Sequence, residues 1–386
     1  MGKLYLGTQE ITPFVYDGEA QVPPLDPKVV YRQARPADWL PMPTPVNNEI
    51  YLLVKVPVPN QEKDSGIPLA FLCQTTAGQY QVELGTVTNG TFVADSTYTT
   101  LLNSNRKYTN YLYYSDWTDS PMDDGTHQVM VKISTVSGNL SVFRHYEVIS
   151  GNIYGNQYTL ELRGHCEQMT TCAVSGTGNL LYPCNSMQFY SLEGTNNITS
   201  FSNMFYNCYS LTAIPALDTS SGTYFSNMFY GCYSLTAIPA LDTSSGTSFS
   251  NMFYGCFLLR YIDFVGYDFT NVTSANNRPT NTSTNGGGIM RIDNKFQMST
   301  GGFTGVVINA PQGASATNPF YILIEDDQTM VPLGANATTV FTTNQYTYVV
   351  VPDSMYATYA ADTYWATLNT RLKRRSDVTL PDWYTN

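Results

Sequence analysis

Apolar positions recur every 24 residues through the middle of the chain. Phe201, Phe225 and Phe249 head three copies of one pattern, and Met204, Met228 and Met252 follow at a fixed offset. Phe205, Phe229 and Phe253 keep the spacing, as do Cys208, Cys232 and Cys256. Leu211, Ile214 and Leu217 return as Leu235, Ile238 and Leu241, and polar Asp-Thr-Ser-Ser-Gly segments separate the copies. A unit this short cannot bury its own apolar face, so the copies must stack and bury it jointly, as a solenoid. Phe-Ser-Asn-Met-Phe-Tyr is expected to form a helical or 3₁₀ turn capped by Ser202 or Asn203. Leu-Thr-Ala-Ile-Pro reads as a short extended rung ended by its proline, and Asp-Thr-Ser-Ser-Gly as a polar turn. The solenoid core is then Phe205, Phe229, Phe253, Cys208, Cys232 and Cys256. Each cysteine is expected to stack on the next as a small buried hydrophobe. One Cys per rung, without CxxC or a nearby His, is poor zinc spacing.

Elsewhere the period is closer to two. Residues 1–19 alternate weakly and read as one or two short strands. They either complete the chain's own sheet or add to the edge of a partner. In the second case Leu4, Tyr5, Leu6, Ile11, Phe14 and Val15 carry the contact. Residues 20–47 hold seven prolines and predict an extended linker. Residues 48–150 contain short alternating runs at Glu49–Val56, Leu69–Thr75, Tyr80–Leu84, Thr109–Tyr114, Gln128–Ser134 and Leu140–Ile149. Turn signals about every ten residues make this a β-sandwich. Residues 151–386 form the solenoid, with core repeats at 201–257 and diverged opening rungs before them. The polar run from Asn276 to Gly288 is expected to be an exposed loop, and Phe303–Asn309 and Phe320–Glu325 to be strands. After Tyr348–Val351, a helix over about 354–372 is expected. Ser354 would cap it, Tyr356, Tyr359, Ala360, Tyr364 and Leu368 would share its apolar face, and Lys373-Arg374-Arg375 would sit at its C-terminus.

The repeat FSNMFYGCYSLTAIPALDTSSGT resembles the BspA-type leucine-rich repeat in its Met-Phe-x-x-Cys variant. The ending VPDSMYATYAADTYWATLNTRL is similar to the cap that follows such repeats. The order of strands in 48–150 resembles a PKD-like immunoglobulin-type domain, although Glu83-Leu84-Gly85-Thr86 stands where such domains carry WGDG. The fold class these imply is mainly β: an immunoglobulin/PKD-like sandwich, then a BspA-like solenoid with a C-terminal capping helix. KLYLGTQEI and Arg35-Pro36-Ala37-Asp38-Trp39-Leu40-Pro41 resemble segments of structural proteins of Bacteroidetes-infecting phages.

Composition sharpens this picture. Charged residues make up 13 % of the chain, against about 25 % in typical domains, and tyrosine is abundant. That is the surface of an extended β-rich protein relying on Tyr, Thr and Asn. The net charge of −11 argues against a nucleic-acid partner, which calls for a basic stripe. No apolar stretch is long enough to span a membrane. MGKLYLGTQEITPF lacks the basic start and apolar run of a secretory signal, and seven cysteines without paired spacing suggest free thiols in a reducing cytoplasm.

Little catalytic chemistry is legible. His127, His145 and His165 are far apart, and no nucleophile elbow, P-loop or dinucleotide fingerprint occurs. No catalytic, cofactor-binding or metal-ligating residue is expected. Asp123-Asp124-Gly125 and Glu325-Asp326-Asp327 read as solvated turns or as calcium loops. The expected recognition face consists of Tyr206, Tyr230, Tyr254, Asp218 and Asp242, unless those tyrosines pack between rungs. Tyrosine offers rigid area with one polar tip, suited to glycans and proteins. The function expected is that of a phage virion structural protein: a head or tail fibre, appendage or decoration subunit on the particle exterior, assembled in the bacterial cytoplasm. Its N-terminus would contact capsid or tail proteins. It would form a homo-oligomer, a trimer, and present the repeats to a host glycan or protein. The alternatives are a bacterial cell-surface BspA-like adhesin and a tail-associated glycan-degrading enzyme.

Overall fold

The computed structural model describes residues 4–6, 9–11, 14–16, 19–21, 32–33, 35–59, 66–149, 152–155, 158–173, 186–212, 214, 217–235, 241–259, 261–268, 271–272, 288–294, 314–331, 345–363 and 365–381. The expected strand at Phe303–Asn309, Tyr364, and the polar run before Gly288 lie outside these residues. The protein is mainly β, with a β-solenoid of about four turns. It divides into two compact units, Arg35–Ser221 and Met1–Ala34 with Gly222–Asn386.

In the unit Arg35–Ser221, two sheets form. The larger has the order Phe189–Glu193, Thr159–His165, Glu49–Val56, His127–Thr135, Gln79–Thr88, Thr91–Asn103. The smaller runs Arg106–Leu112, Ile67–Thr75, Leu140–Arg144, Thr171–Ala173. Glu49–Val56 lies deep in the larger sheet, and its residues Ile50 to Val54 are all buried. Such a run, apolar on both faces, is what a strand covered on both sides requires. Trp39 is buried with Tyr51, Leu53, Met130 and Leu160. Around it, Arg35 donates from Nε to Glu161 at 2.6 Å and also reaches the Trp39 and Leu40 carbonyls. Gln128 accepts from the Leu40 amide at 2.8 Å and donates to the Asp38 carbonyl at 2.7 Å. The Arg35–Leu40 segment, inside the expected linker, is therefore fixed to the sheet by a buried carboxylate, a glutamine and a tryptophan.

In the second unit, Leu4–Leu6 pairs antiparallel with both Gln9–Ile11 and Arg32–Gln33, and Phe14–Tyr16 pairs with Glu19–Gln21. Leu4, Tyr5, Leu6 and Ile11 thus lie in a small sheet, and Phe14 and Val15 in a hairpin. Beyond the repeats, five strands stack in parallel: Tyr261–Asp263, Gly288–Ile292, Phe320–Ile324, Thr347–Val351 and Leu372–Arg374. The register aligns Ile262, Met290, Ile322, Val349 and Leu372, all buried. Across this sheet Arg291 bridges Asp263 at 2.7 Å and Glu325 at 2.9 Å.

The C-terminus departs from the single helix expected over 354–372. Only Tyr356–Ala361 is α-helical, and a kinked 3₁₀ stretch, Trp365–Arg371, follows. Asp362 is extended and ends the first helix, and its side chain accepts from the Trp365 amide at 3.0 Å to start the next turn. Ser354 caps nothing, because the N-cap is Met355, without a side-chain bond. Lys373 and Arg374 belong to a strand, not to a helix end, because Leu372 is drawn into the sheet beside Val349. There Arg374 lies 4.3 Å over the Tyr356 ring. Of the expected apolar face, Tyr359 and Leu368 are buried while Ala360 is exposed. The Val331 backbone is clamped from both sides. Its amide donates to the Tyr359 hydroxyl at 2.8 Å, and its carbonyl accepts from Trp365 Nε1 at 2.9 Å. Among the described residues no helix is long and apolar enough to cross a membrane.

Candidate recognition face

Where a helical or 3₁₀ turn is expected, each repeat opens with tandem tight turns closed by i to i+3 bonds. The Met204 amide bonds to the Phe201 carbonyl and the Cys208 amide to the Phe205 carbonyl, closing two four-residue turns. Their third residues, Asn203 and Asn207, have φ of 61° and 57°. A positive φ at that place, with an i to i+3 bond, marks a type II turn, which favours Asn or Gly. The next copies repeat this with Asn227 and Gly231, then Asn251 and Gly255. Asn203 is therefore a turn residue and caps no helix. Because these turns kink the chain every four residues, Phe201, Met204, Phe205 and Cys208 all point to one side, and all are buried.

Within Gly222–Asn386, adjacent coils are joined by a ladder. The amides of Phe225, Asn227, Phe229 and Gly231 donate to the carbonyls of Ser248, Ser250, Met252 and Tyr254 at 2.7 to 2.9 Å. Alternate amides therefore point along the stack, the pattern of parallel β pairing. The side chains are carried into register. Phe225 stacks on Phe249 at 5.1 Å and Phe229 on Phe253 at 5.4 Å, inside the coil. Outside it, Tyr230 stacks on Tyr254 at 4.7 Å and Tyr233 on Phe257 at 5.2 Å. These distances approximate the 4.7–4.9 Å between paired strands.

Tyr230 is half-buried, whereas Tyr254, Tyr233 and Phe257 are exposed. Tyr206, in the unit Arg35–Ser221, is half-buried. Tyr230 and Tyr254, and Tyr233 and Phe257, thus each cover a neighbour's ring face from outside the coil. Tyr233 and Phe257 extend this face and were missing from the expected residues, although their 24-residue spacing is plain in the sequence. Asp218 and Asp242 are exposed, and each carboxylate folds back on its own turn. Asp218 accepts from the Ser220 amide at 3.1 Å and its hydroxyl at 2.6 Å, and Asp242 from Ser244 at 3.0 and 2.6 Å. Beneath them Thr219 and Thr243 are buried, and Thr243 Oγ1 accepts from the Asp268 amide at 2.7 Å. The aspartates therefore shape the turns as well as colouring the face.

Cys208, Cys232 and Cys256 are fully buried free thiols. Cys256 donates to the Phe229 carbonyl at 3.1 Å, and burial holds its thiol well above the usual range. The two acidic turns are internally engaged. Asp124 pairs with Lys55 at 2.5 Å and accepts from Thr126, which together lower its carboxyl to about 2. Asp326 accepts from the Gln328 and Thr329 amides, and Glu325 pairs with Arg291. Among the described residues no three His, Cys, Asp or Glu side chains are placed to hold a metal ion.

Residues 184–286 match the family model described as "Mycoplasma protein of unknown function, DUF285". With the stacked coils, this match fits a BspA-type repeat protein. No curated protein matches the sequence.

Proposed function

We propose that the chain is a phage virion structural protein, a fibre, appendage or decoration subunit that presents its repeats outward. The observation that carries the reading is the outward aromatic ladder, Tyr230 on Tyr254 and Tyr233 on Phe257, held in register by hydrogen-bonded coils. A rigid row of tyrosine edges and hydroxyls loses little entropy on contact, which suits recognition of a protein or glycan. In this reading Leu4, Tyr5, Leu6, Ile11, Phe14 and Val15 anchor the protein to capsid or tail, and the two sheets of Arg35–Ser221 form an immunoglobulin-like sandwich serving as spacer. The segment after Val351 caps the solenoid, and the assembly is a symmetric trimer. The resemblance of KLYLGTQEI and RPADWLP to phage structural proteins supports the anchor.

Cryo-electron microscopy of the native particle tests this. The expected result is density on a virion, with residues 1–19 ordered against a capsid or tail protein. Density on a bacterial envelope would sink the virion reading. It would favour the second one, a cell-surface adhesin, for which the match to a Mycoplasma family speaks.

A further inference from the structure

The edge strand Thr91–Asn103 leaves its neighbour in mid-course. Pairing runs from Asn103 opposite Gln79 to Thr99 opposite Glu83, and resumes with Ala94 opposite Gly85. Residues 95–98 are thus set against Leu84 alone and arch off the sheet, an enlarged bulge. From Thr99 to Asn103 the pairing is unbroken. On the far side of this strand no other strand is paired among the described residues. A row of backbone N–H and C=O groups is left open there, a template for one more strand.

Proteins guard such edges with lysine, arginine, proline or brevity. Arg106–Leu112 opens with Arg106 and Lys107, Leu372–Arg374 carries Lys373 and Arg374, and Thr171–Ala173 is three residues long. Thr91–Asn103 is 13 residues long and contains neither proline nor a cation. Its one charge is Asp95, in the arch. Leu101, beside Gln81, is 52 % exposed. Thr100 and Leu102, opposite the buried Val82 and Tyr80, are only half-buried.

We propose that this edge pairs antiparallel with the same edge of a second copy of the chain, about a two-fold axis at Leu101. Only an extended strand meets a row of donors and acceptors at ladder spacing. In this register the sequence complements itself. Leu101 faces the partner's Leu101, Thr100 faces the partner's Leu102, and Thr99 faces the partner's Asn103, so no like charges meet. The antiparallel direction also turns the arch of one copy toward the opposite end of the other's strand. Asp95 at the arch lines one hollow with Asp116 and Asp119. The opposite end leads through Ser104 and Asn105 into Arg106 and Lys107. Acidic and basic ends are thus matched across the axis, which fixes direction and register. The contact lies within Arg35–Ser221. It rests on neither the repeat face nor the trimer proposed above, and is separate from the contacts that would build that trimer.

The test is sedimentation of the full chain over a concentration series. A contact of this size is expected to pair copies in the micromolar range. Leu101→Lys and Leu101→Asp each place like charges opposite one another and should weaken pairing about tenfold or more. An equimolar mixture of the two variants should recover it. That recovery also shows that both variants fold, as expected for a residue 52 % exposed. Leu101→Cys should form covalent pairs on air oxidation, and the comparably exposed Val93→Cys should not. A chain that stays monomeric at every concentration overturns the proposal and leaves the edge to a strand of another protein. An oligomer that both charge variants leave intact, with no covalent pair through Leu101→Cys, overturns it while sparing the trimer. Loss in both variants without recovery in the mixture overturns the two-fold register.

Discussion

Asn227 and Asn251 hold φ near 54°, a conformation that costs most side chains about 1 kcal/mol or more and glycine almost nothing. Asparagine tolerates it because its short amide bonds locally. Asn251→Ala is therefore expected to lower stability by about 1 kcal/mol, and Asn251→Gly to cost less. Denaturant midpoints of the two variants check this, and equal losses would contradict the turn assignment. The buried thiols carry a pH signature. Burial raises Cys172 from 9.0 to about 12. Above pH 9 the unfolded chain ionises this thiol while the folded chain holds it neutral, so unfolding releases a proton. The stabilising contribution is complete below pH 9 and is lost as pH rises towards about 12. Replacing Cys172 by Ala should flatten that part of the stability–pH curve, measured by urea melts across the interval.

Among the elements, the C-terminal clamp has the clearest energetic content. Trp365→Phe keeps an aromatic ring but leaves the buried Val331 carbonyl without its donor, at a cost of about 2 kcal/mol. A midpoint unchanged from wild type would show that the clamp contributes nothing. Strands with buried apolar runs were legible in the sequence: Glu49–Val56 appears with the expected bounds, and Phe320–Ile324 within one residue of them. The elements that escaped did so for physical reasons. Thr91–Asn103 is an exposed edge whose apolar residues come in two groups, Phe92 to Ala94 and Tyr98 to Leu102, parted by Asp95-Ser96-Thr97, so no single buried face marks it as one strand. Gly288–Ile292 is short and follows a run of Asn, Thr and Gly that obscures its start. Leu372–Arg374 has the charge of a helix end, and only pairing with Val349–Val351 makes it a strand. The tandem turns carry helical spacing of apolar residues, but Asn and Gly at every fourth place favour positive φ over continued helix. The outward tyrosines were visible through their period.

For the whole molecule, repetition makes the solenoid modular. Removing residues 225–248 joins Tyr224 to Phe249, a seam nearly identical to the native one. The shortened chain is expected to fold, with Phe249 replacing Phe225, and to melt at a lower temperature because one coil-to-coil interface is gone. Circular dichroism with thermal melts tests this, and an unfolded product would refute the stacking described. The direction of the ladder has a mechanical consequence. The bonds from Phe225, Asn227, Phe229 and Gly231 to the next coil lie along the stacking axis. A load along that axis therefore opens bonds one coil at a time instead of shearing a whole sheet together. Each coil that yields raises the reach of the chain from about 5 Å, the rise per stacked coil, to about 80 Å, the extended length of 24 residues. A tether built this way gives ground in equal steps under tension, and each released coil can rewind on the next when the tension drops.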